Sequence, residues 1–507
     1  MSSNKTNPNP MLSPTLVKGN AEEEFVLLKN GLPQRIHNWQ VVKQLGKGAS
    51  ATVYLGKSLI DKNLVAIKQF STNLFQNNQH STAYRKMMMN EANLVGRLIH
   101  PNILQTYSVG FESEYKYLVM EYVQMGSLDE KINKPNELGL SEIIRIFFQC
   151  ACALQYSDEI GIIHRDIKPA NILLQSSFIP KITDFGSSMK KGDYINAISG
   201  VGSPAYMSPE QICEQPLNQQ TDIYSLGISL YEMISGSKPF AATTQYETIY
   251  KILNKEIPPI SDYIKNSLPS RLIKILKRSA TKKQDRRYQN WSEIIFDLSL
   301  LLDEIYSQKQ KYSKIDQISA FDWLRQCSSL KMFDDNELWD LIEIGEIYQV
   351  GFGTQLEIDF NEPDIEALAD MNQWTFESLS EQPSAFSHSF ILSGGIQVYN
   401  PDNKISVLIS GDYLADLKPI ITPKLNDQID AYSIDNTVIL MIEQQKINTI
   451  HPVVKNKLTT LINISAETQK AIKHKRHNLD QKVYTESDLI ISDTQSAKSN
   501  SSSDRKS

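Results

Sequence analysis

Cysteine is scarce: only Cys150, Cys152, Cys213 and Cys327 occur in 507 residues, and none stands at metal-ligand spacing from another. Cys150 and Cys152 fall on an apolar helical run, where a two-residue step points side chains to different faces. All four read as reduced core thiols in a cytoplasmic protein. Long apolar runs are also lacking, since no uninterrupted segment approaches the ~20 residues that cross a bilayer, so no membrane span is expected. The opening Met1-Ser2-Ser3-Asn4-Lys5-Thr6-Asn7 has neither the basic nor the apolar part of a secretory signal. That leaves open export by a machine that reads folded domains. Positive charge is not in excess either: 52 Lys and Arg against 58 Asp and Glu give a net of −6, so nothing global points to a nucleic-acid partner.

What is present is more chain than one core accommodates, which predicts two or three domains with tails. Residues 1–38 are rich in Asn, Pro and Ser and are expected to be mostly disordered. From Trp39 apolar and polar residues alternate through Val41, Val42, Leu45, then Val53 to Leu55, then Val65 to Ile67, with Gly, Asp and Asn between, as antiparallel strands do. Helical spacing then takes over in Ser141–Asp158, Ser225–Ile234, Pro269–Ser279 and Trp291–Ile305. A linker over 306–317 precedes a second pattern over 318–465. This has helices at Ile318–Cys327 and Asp335–Ile344, strands at Ser389–Tyr399, Ile405–Ile409 and Asn436–Ile442, and a helix over Gln444–Leu461. Residues 466–507 read as a disordered basic, Ser-rich tail.

The chemistry concentrates in two short stretches, His164-Arg165-Asp166-Ile167-Lys168-Pro169-Ala170-Asn171 and Asp184-Phe185-Gly186. One carboxylate there can take a proton from an attacking hydroxyl, a second can hold Mg2+ against nucleotide phosphates, and the amide between them can hold another ion. Upstream, Gly46-Lys47-Gly48-Ala49-Ser50-Ala51-Thr52-Val53 puts small residues between two strands, where backbone N–H groups approach phosphate closely. Val65-Ala66-Ile67-Lys68 follows one hairpin later, and Glu91 lies on the helical pattern before His100-Pro101-Asn102-Ile103.

These motifs, in this order, resemble the protein-kinase family. The resemblance runs from Trp39 to Ile305 and is strengthened by Tyr117–Val123, by Val201–Glu210, by Thr221-Asp222-Ile223-Tyr224-Ser225-Leu226-Gly227 and by Asp285–Tyr288. Its wording is most similar to bacterial kinases of the eukaryotic type. The resemblance implies an α+β, bilobal kinase fold that uses ATP and Mg2+ to phosphorylate serine or threonine in protein substrates. Asp166, Lys168, Lys68 and Glu91 would be catalytic, and Asn171 and Asp184 would hold the metal. Leu45, Gly46, Lys47, Gly48, Ala49, Ser50, Val53, Ala66, Lys68, Met120, Glu121, Val123 and Leu173 would enclose the nucleotide, with Met120 guarding the adenine pocket. Three replacements depart from the family's pattern: Ala51 stands for the third glycine of the loop and trims its flexibility, and Ser203 and Ser208 are mild replacements for a commoner threonine and alanine. Arg287 is the expected buried partner of Glu210. Because Arg165 precedes Asp166, a phosphate placed by autophosphorylation in the loop 187–203 would have a partner, with Ser199 as candidate acceptor.

The C-terminal pattern, through Phe390–Val398 and Ile409-Ser410-Gly411-Asp412-Tyr413-Leu414, resembles the cyclic-nucleotide-binding family, a jelly-roll β-barrel with flanking helices. The family's phosphate-binding arginine has no counterpart, because no arginine lies between Arg325 and Arg476. Where it is expected, the chain reads Leu414-Ala415-Asp416-Leu417, and Lys418 or Lys424 would serve only as point charges. Over 328–450, 21 Asp and Glu face 5 Lys, a net of −16 that repels phosphate. The reading is therefore against cyclic-nucleotide binding and for a protein-interaction or purely regulatory barrel. A cyclic-nucleotide-responsive kinase and a catalytically weak scaffold are the alternatives. The insertion 357–387, with Pro363, Met371, Trp374 and Phe376, is longer than such a barrel's usual connection.

Overall fold

The structure is a computed structural model and describes residues 35–36, 38–48, 51–71, 88–94, 97–111, 116–132, 138–191, 204–260, 268–306, 312–358, 387–399, 405–415, 417–419 and 431–477. The expectations for Ala49, Ser50, Ser199, Ser203, Lys424, Asp416, the insertion's Pro363, Met371, Trp374 and Phe376, and most of both tails fall outside these residues.

The first lobe is one antiparallel sheet built from the alternating stretches. Its strands are β1 (Arg35–Ile36), β2 (Trp39–Lys47), β3 (Ala51–Ser58), β4 (Leu64–Phe70), β5 (Thr106–Phe111) and β6 (Lys116–Glu121), in the order β1-β2-β3-β4-β6-β5. The helical residues 88–93 (α1) lie between β4 and β5 in sequence. Strand β1 falls within the stretch expected to be disordered. It is ordered because Ile36 is buried and β1 closes a hairpin onto Trp39 and Gln40.

The second lobe is helical. After α2 (Asp129–Ile132), the long α3 (Leu140–Glu159) runs through its centre. Buried residues on α3 extend from Ile143 to Ser157 around all sides, Gln149 and Gln155 included, so it is covered from every direction. The short strands β7 (Ile162–Ile163), β8 (Ile172–Leu174), β9 (Pro180–Ile182) and β10 (Met189–Lys190) pair as β7 with β10 and β8 with β9. Helices α4 (Pro209–Ile212), α5 (Gln219–Ser235), α6 (Gln245–Asn254), α7 (Ser270–Ser279) and α8 (Trp291–Ile305) complete the lobe. Asn290 starts α8 by accepting the N–H of Glu293 at 3.0 Å. Cys150 and Cys152 are buried as expected, but Cys213, the residue that ends α4, is exposed.

The rest of the chain folds as two five-stranded sheets with helices: β11 (Tyr312–Lys314), α9 (Gln317–Gln326), α10 (Asp335–Ile344), β12 (Gly345–Val350), β13 (Gln355–Ile358), β14 (Ser387–Ser393), β15 (Gly395–Tyr399), β16 (Ile405–Ile409), β17 (Tyr413–Ala415), β18 (Leu417–Pro419), β19 (Ala431–Ser433), β20 (Thr437–Glu443), α11 (Gln444–Ile447) and α12 (Pro452–His477). The sheets are ordered β11-β12-β20-β14-β17 and β16-β15-β19-β13-β18. Val350, Ile391 and Ile439 from one meet Leu356, Ile396, Val398, Leu408 and Ala431 from the other in a shared core. Helices α9, α10 and α12 cover the outer face of the first sheet through Leu324, Leu341 and Leu458.

Four expectations are corrected here. Tyr312–Lys314, read as linker, is an edge strand paired with β12; ladder hydrogen bonds hold it, so it needs no apolar pattern. Ser389–Tyr399 is two strands, split at Gly394. Its φ of +81° places an added Cβ 2.7 Å from Asn436 O, a conformation and a space that suit only glycine. The helix expected over Gln444–Leu461 breaks before Pro452, which lacks an N–H and favours a first turn over an interior. Helix α12 then runs to His477, into the stretch read as tail, because Glu467, Gln469, Lys470, Ala471 and Lys473 are strong helix formers joined to a packed apolar start.

Candidate functional site

Lys68 stands on β4 between Val53 of β3 and Leu118 of β6. Its ammonium lies 2.6 Å from Glu91 Oε1, carried by α1, and 3.0 Å from Asp184 Oδ1. Burial alone would push the ammonium down, but Asp184 and Glu91 together outweigh it and hold Lys68 well above its usual range. Lys68 in turn holds Asp184 well below the ordinary carboxylate range despite burial. Burial pushes Glu91 up to about 8, which Lys68 offsets only in part. One ammonium thus faces two carboxyl groups, and it lowers Asp184 while burial raises Glu91.

Asp184 has φ +69° and ψ 54°, the left-handed region that aspartate tolerates better than most residues. Phe185 behind it is buried, and its ring meets His164 edge-on with centroids 4.5 Å apart. A small cavity opens behind the ion pair, lined among others by Leu94, Thr106, Met120, Thr183 and Phe185.

Across the cleft, the loop leaving α3 through β7 is held from below. The N–H groups of His164 and Arg165 each donate to the Asp222 carboxylate at 2.8 Å. Gln211 Nε2 donates to Arg165 O at 3.0 Å, and Arg165 itself has φ +66°. Strained backbone held by several partners is the form in which functional loops persist. Asp166 Oδ2 accepts from Lys168 Nζ at 2.7 Å and from Asn171 Nδ2 at 2.9 Å. Asn171 Nδ2 also donates to Asp166 O at 2.8 Å. That amide turns its nitrogen to Asp166, and its remaining hydrogen-bonding atom is an acceptor oxygen.

The donor set suits Mg2+. An ionised Asp184 and the oxygen of Asn171 are hard ligands, and no cluster of three or more His, Cys, Asp or Glu able to hold a metal exists among the described residues. Mg2+ is held in this way when substrate phosphates complete its shell.

The described residues expected to enclose the nucleotide lie as follows. Ala66, Met120 and Val123 are buried in one apolar cluster, with Val53 and Leu173 packed against it. Leu45, Gly46, Lys47 and Gly48 lie on β2 and the turn after it, where Gly48 N–H donates to Ala51 O at 2.9 Å. Glu121 offers backbone only: its N–H donates to Gln105 O at 2.8 Å, and its carboxylate pairs with Lys181 at 2.9 Å. Arg287 and Glu210 form the buried pair expected from sequence, 2.6 Å apart.

Asn90 escaped the reading of the sequence. Its Nδ2 donates to Gly186 O at 3.1 Å and Ser188 O at 2.9 Å, tying α1 to the segment that follows Asp184. An asparagine beside Glu91 carries no motif signal. Thr106, in the cavity, was likewise hidden within an ordinary strand.

A two-lobed fold with one cation bridged to two carboxylates across the lobes defines a phosphotransferase-type cleft. The protein kinase domain family matches residues 39–297, over half of the chain, and the chain belongs to that family. Members of the family use ATP with Mg2+. A probable serine/threonine-protein kinase of Clostridium acetobutylicum is 31% identical over 282 residues, 55% of this chain and 42% of that protein. Serine/threonine-protein kinase PrkC of Bacillus subtilis is 32% identical over 267 residues, 52% of this chain and 40% of that protein. Serine/threonine-protein kinase Nek5 of Mus musculus is 32% identical over 253 residues, 49% and 38% respectively. The chain thus spans less than half the length of these relatives. No helix among the described residues is long and apolar enough to cross a membrane.

Proposed function

We propose that this chain transfers the γ-phosphoryl group of ATP to serine or threonine hydroxyls of proteins. The observation that carries this reading is Lys68 held between Glu91 and Asp184, at 2.6 and 3.0 Å, opposite an Asp166 already bonded to Lys168 and Asn171. In this reading ATP lies in the apolar slot of Ala66, Met120, Val123 and Leu173, under the turn of Gly46, Lys47 and Gly48. Lys68 pairs with its inner phosphates. Asp166 takes the proton as the acceptor O–H bond breaks and a new P–O bond forms, with ADP as the leaving group. Lys168 adds positive charge where the transferring group is most anionic. Mg2+, held by Asp184 and Asn171 Oδ1, would supply charge neutralisation between the phosphates.

The C-terminal unit is, in the same proposal, a regulatory barrel related to cyclic-nucleotide-binding domains but without their ligand. Support comes from its two-sheet architecture, the φ +98° turn at Gly411 and the missing arginine between Arg325 and Arg476. A cytoplasmic setting and autophosphorylation belong to the proposal as well.

The test is transfer of labelled phosphate from ATP with Mg2+ to a generic protein acceptor, comparing wild type with Asp166→Asn and Asp184→Asn, with and without cyclic AMP or GMP. Transfer by wild type that both variants abolish is expected. Folded wild type that transfers nothing sinks the kinase reading, and a rate that responds to cyclic nucleotide overturns the reading of the barrel.

A further inference from the structure

The second sheet of the C-terminal unit turns described residues of its outer face, Gln397, Val407 and Tyr432, away from solvent. Along β15, Ile396 and Val398 point into the unit's own core, and by the two-residue period Gln397 and Tyr399 must point out. An isolated sheet would leave such an outward glutamine wet, yet Gln397 has no solvent exposure. Tyr432 on β19 and Val407 on β16 alternate in the same sense. Both, with Ile434, belong to the hydrophobic core of the kinase helical lobe rather than to their own unit's.

The opposing surface is α3 and α8. Gln155, near the end of α3, accepts from Gln397 Nε2 and from Tyr399 OH, both at 2.8 Å, while its Nε2 donates to Ser292 Oγ on α8 at 2.9 Å. Gln149 Nε2 donates to Ile434 O at 2.8 Å. The Phe148 ring meets Tyr432 edge-on at 6.0 Å, and the Arg145 guanidinium lies 4.6 Å from the centre of Phe352. Gly353, at φ +64°, lies against Leu302, whose Cδ1 would stand 2.6 Å from an added Cβ. Both buried glutamines of α3 thus find partners in the C-terminal unit. Unsatisfied, such amides cost roughly 1–3 kcal/mol each. A helix covered on one side by its own lobe and on the other by this sheet has no exposed state that is free of cost.

We propose that the C-terminal unit is a permanent brace of the kinase lobe, seated through Gln155, Gln397, Tyr399 and Tyr432 on α3, and that it acts on phosphoryl transfer by fixing the helix that feeds the loop of His164 to Asn171. The helix ends at Glu159, and β7 carries the chain into His164 within five residues, so a shift of α3 reaches Asp166 directly. Gln155 and its partners are positioning residues, since none touches the cleft. The effect on catalysis rests on the kinase reading, whereas the bracing itself does not.

The experiment uses the full chain. Calorimetric unfolding and hydrogen exchange over 140–159 and 395–399 are measured for wild type, for Gln155→Leu and Tyr432→Asp, and for the milder Tyr399→Phe, together with kcat and KM for ATP. Wild type is expected to unfold in one transition. Gln155→Leu should speed exchange in both segments together, by roughly tenfold, and lower kcat about threefold to tenfold with KM for ATP little changed. Tyr399→Phe, which keeps the ring and loses one hydrogen bond, should lie between. Tyr432→Asp should split the transition or unfold the chain, and in the latter case Gln155→Leu and Tyr399→Phe decide. Two independent transitions in wild type, or faster exchange confined to 395–399, overturns the brace. Coupled exchange with unchanged kcat overturns its action on catalysis. A wild type without transfer activity removes the kinase reading, and the unfolding and exchange results still decide the brace.

Discussion

Asn90 donates to the carbonyl oxygen of Ser188 at 2.9 Å, and the same amide reaches Gly186 O at 3.1 Å. One side chain thereby joins the helix that carries Glu91 to the segment that begins at Asp184. Two hydrogen bonds to partly buried carbonyls are worth about 0.5–1.5 kcal/mol each, enough to set the population of an arrangement in which Glu91 and Asp184 both reach Lys68. Asn90→Ala is expected to lower kcat about threefold to tenfold and to lower stability by no more than the roughly 1–3 kcal/mol that the two bonds supply. Steady-state kinetics beside a melting curve checks this, and an unchanged kcat would show that Asn90 does not hold that arrangement.

Lys68 holds two buried carboxyl groups, and removing it leaves both facing each other without a cation. Lys68→Met should therefore cost on the order of 100-fold or more in kcat/KM while the lobes remain folded. The same substitution should let Asp184 move back toward the ordinary carboxylate range, because Lys68 is the main cause of its depression. Phosphate-transfer assays with circular dichroism as the control measure the first effect. A variant that keeps near-wild-type kcat/KM contradicts the assignment.

The Arg287–Glu210 pair is almost wholly enclosed, with side chains 0% and 2% exposed. Arg287 also donates to Thr281 O, Gln220 O and Lys282 O. Breaking a buried pair by removing one member costs about 3–5 kcal/mol, so Arg287→Met is expected to lower the urea midpoint steeply. The double variant Arg287→Met/Glu210→Leu should be less destabilised than the sum of its parts, because Glu210 is then no longer stranded. Denaturation of the four proteins decides it; strict additivity would mean that the pair contributes nothing as a pair.

The kinase half was legible because its chemistry is carried by residues that must stand in order along the chain. Lys68, Glu91, Asp166, Asn171 and Asp184 announce themselves by type and spacing, and Trp291–Ile305 by helical period. The seam was not legible. Gln149, Gln155 and Gln397 look like surface residues, and period-two reasoning sends Gln397 to solvent; only a neighbouring unit, far away in sequence, turns that face into an interior. Asn90 was missed for a related reason, since its partners are backbone carbonyls nearly a hundred residues on, and a carbonyl has no identity in the sequence. The continuation of α12 past 465 was hidden by composition, as the Lys, Gln and Glu that suggest a solvated tail are also good helix formers.

His388 gives the C-terminal unit a dependence on pH. It is fully buried on β14, with Nδ1 3.0 Å from Tyr413 OH and Nε2 2.6 Å from Gln444 Oε1. Burial drives its pKa down from 6.5 to about 4, assisted by Lys455 and opposed by the bond to Gln444. The folded state therefore binds this proton less readily than the unfolded chain does. Its contribution to stability is complete above pH 6.5, erodes as the pH falls, and is gone below about 4. A displacement of that size is worth about 3 kcal/mol in all. Replacement by glutamine removes the titration, so His388→Gln should lose about 2–3 kcal/mol less than wild type between pH 7 and pH 4.5, whatever it costs at pH 7. Urea unfolding of both proteins at the two pH values, followed by hydrogen exchange of 387–393 to localise the effect, measures the difference. Equal losses in the two proteins would show that the imidazole takes up its proton in the folded state as easily as in the unfolded one.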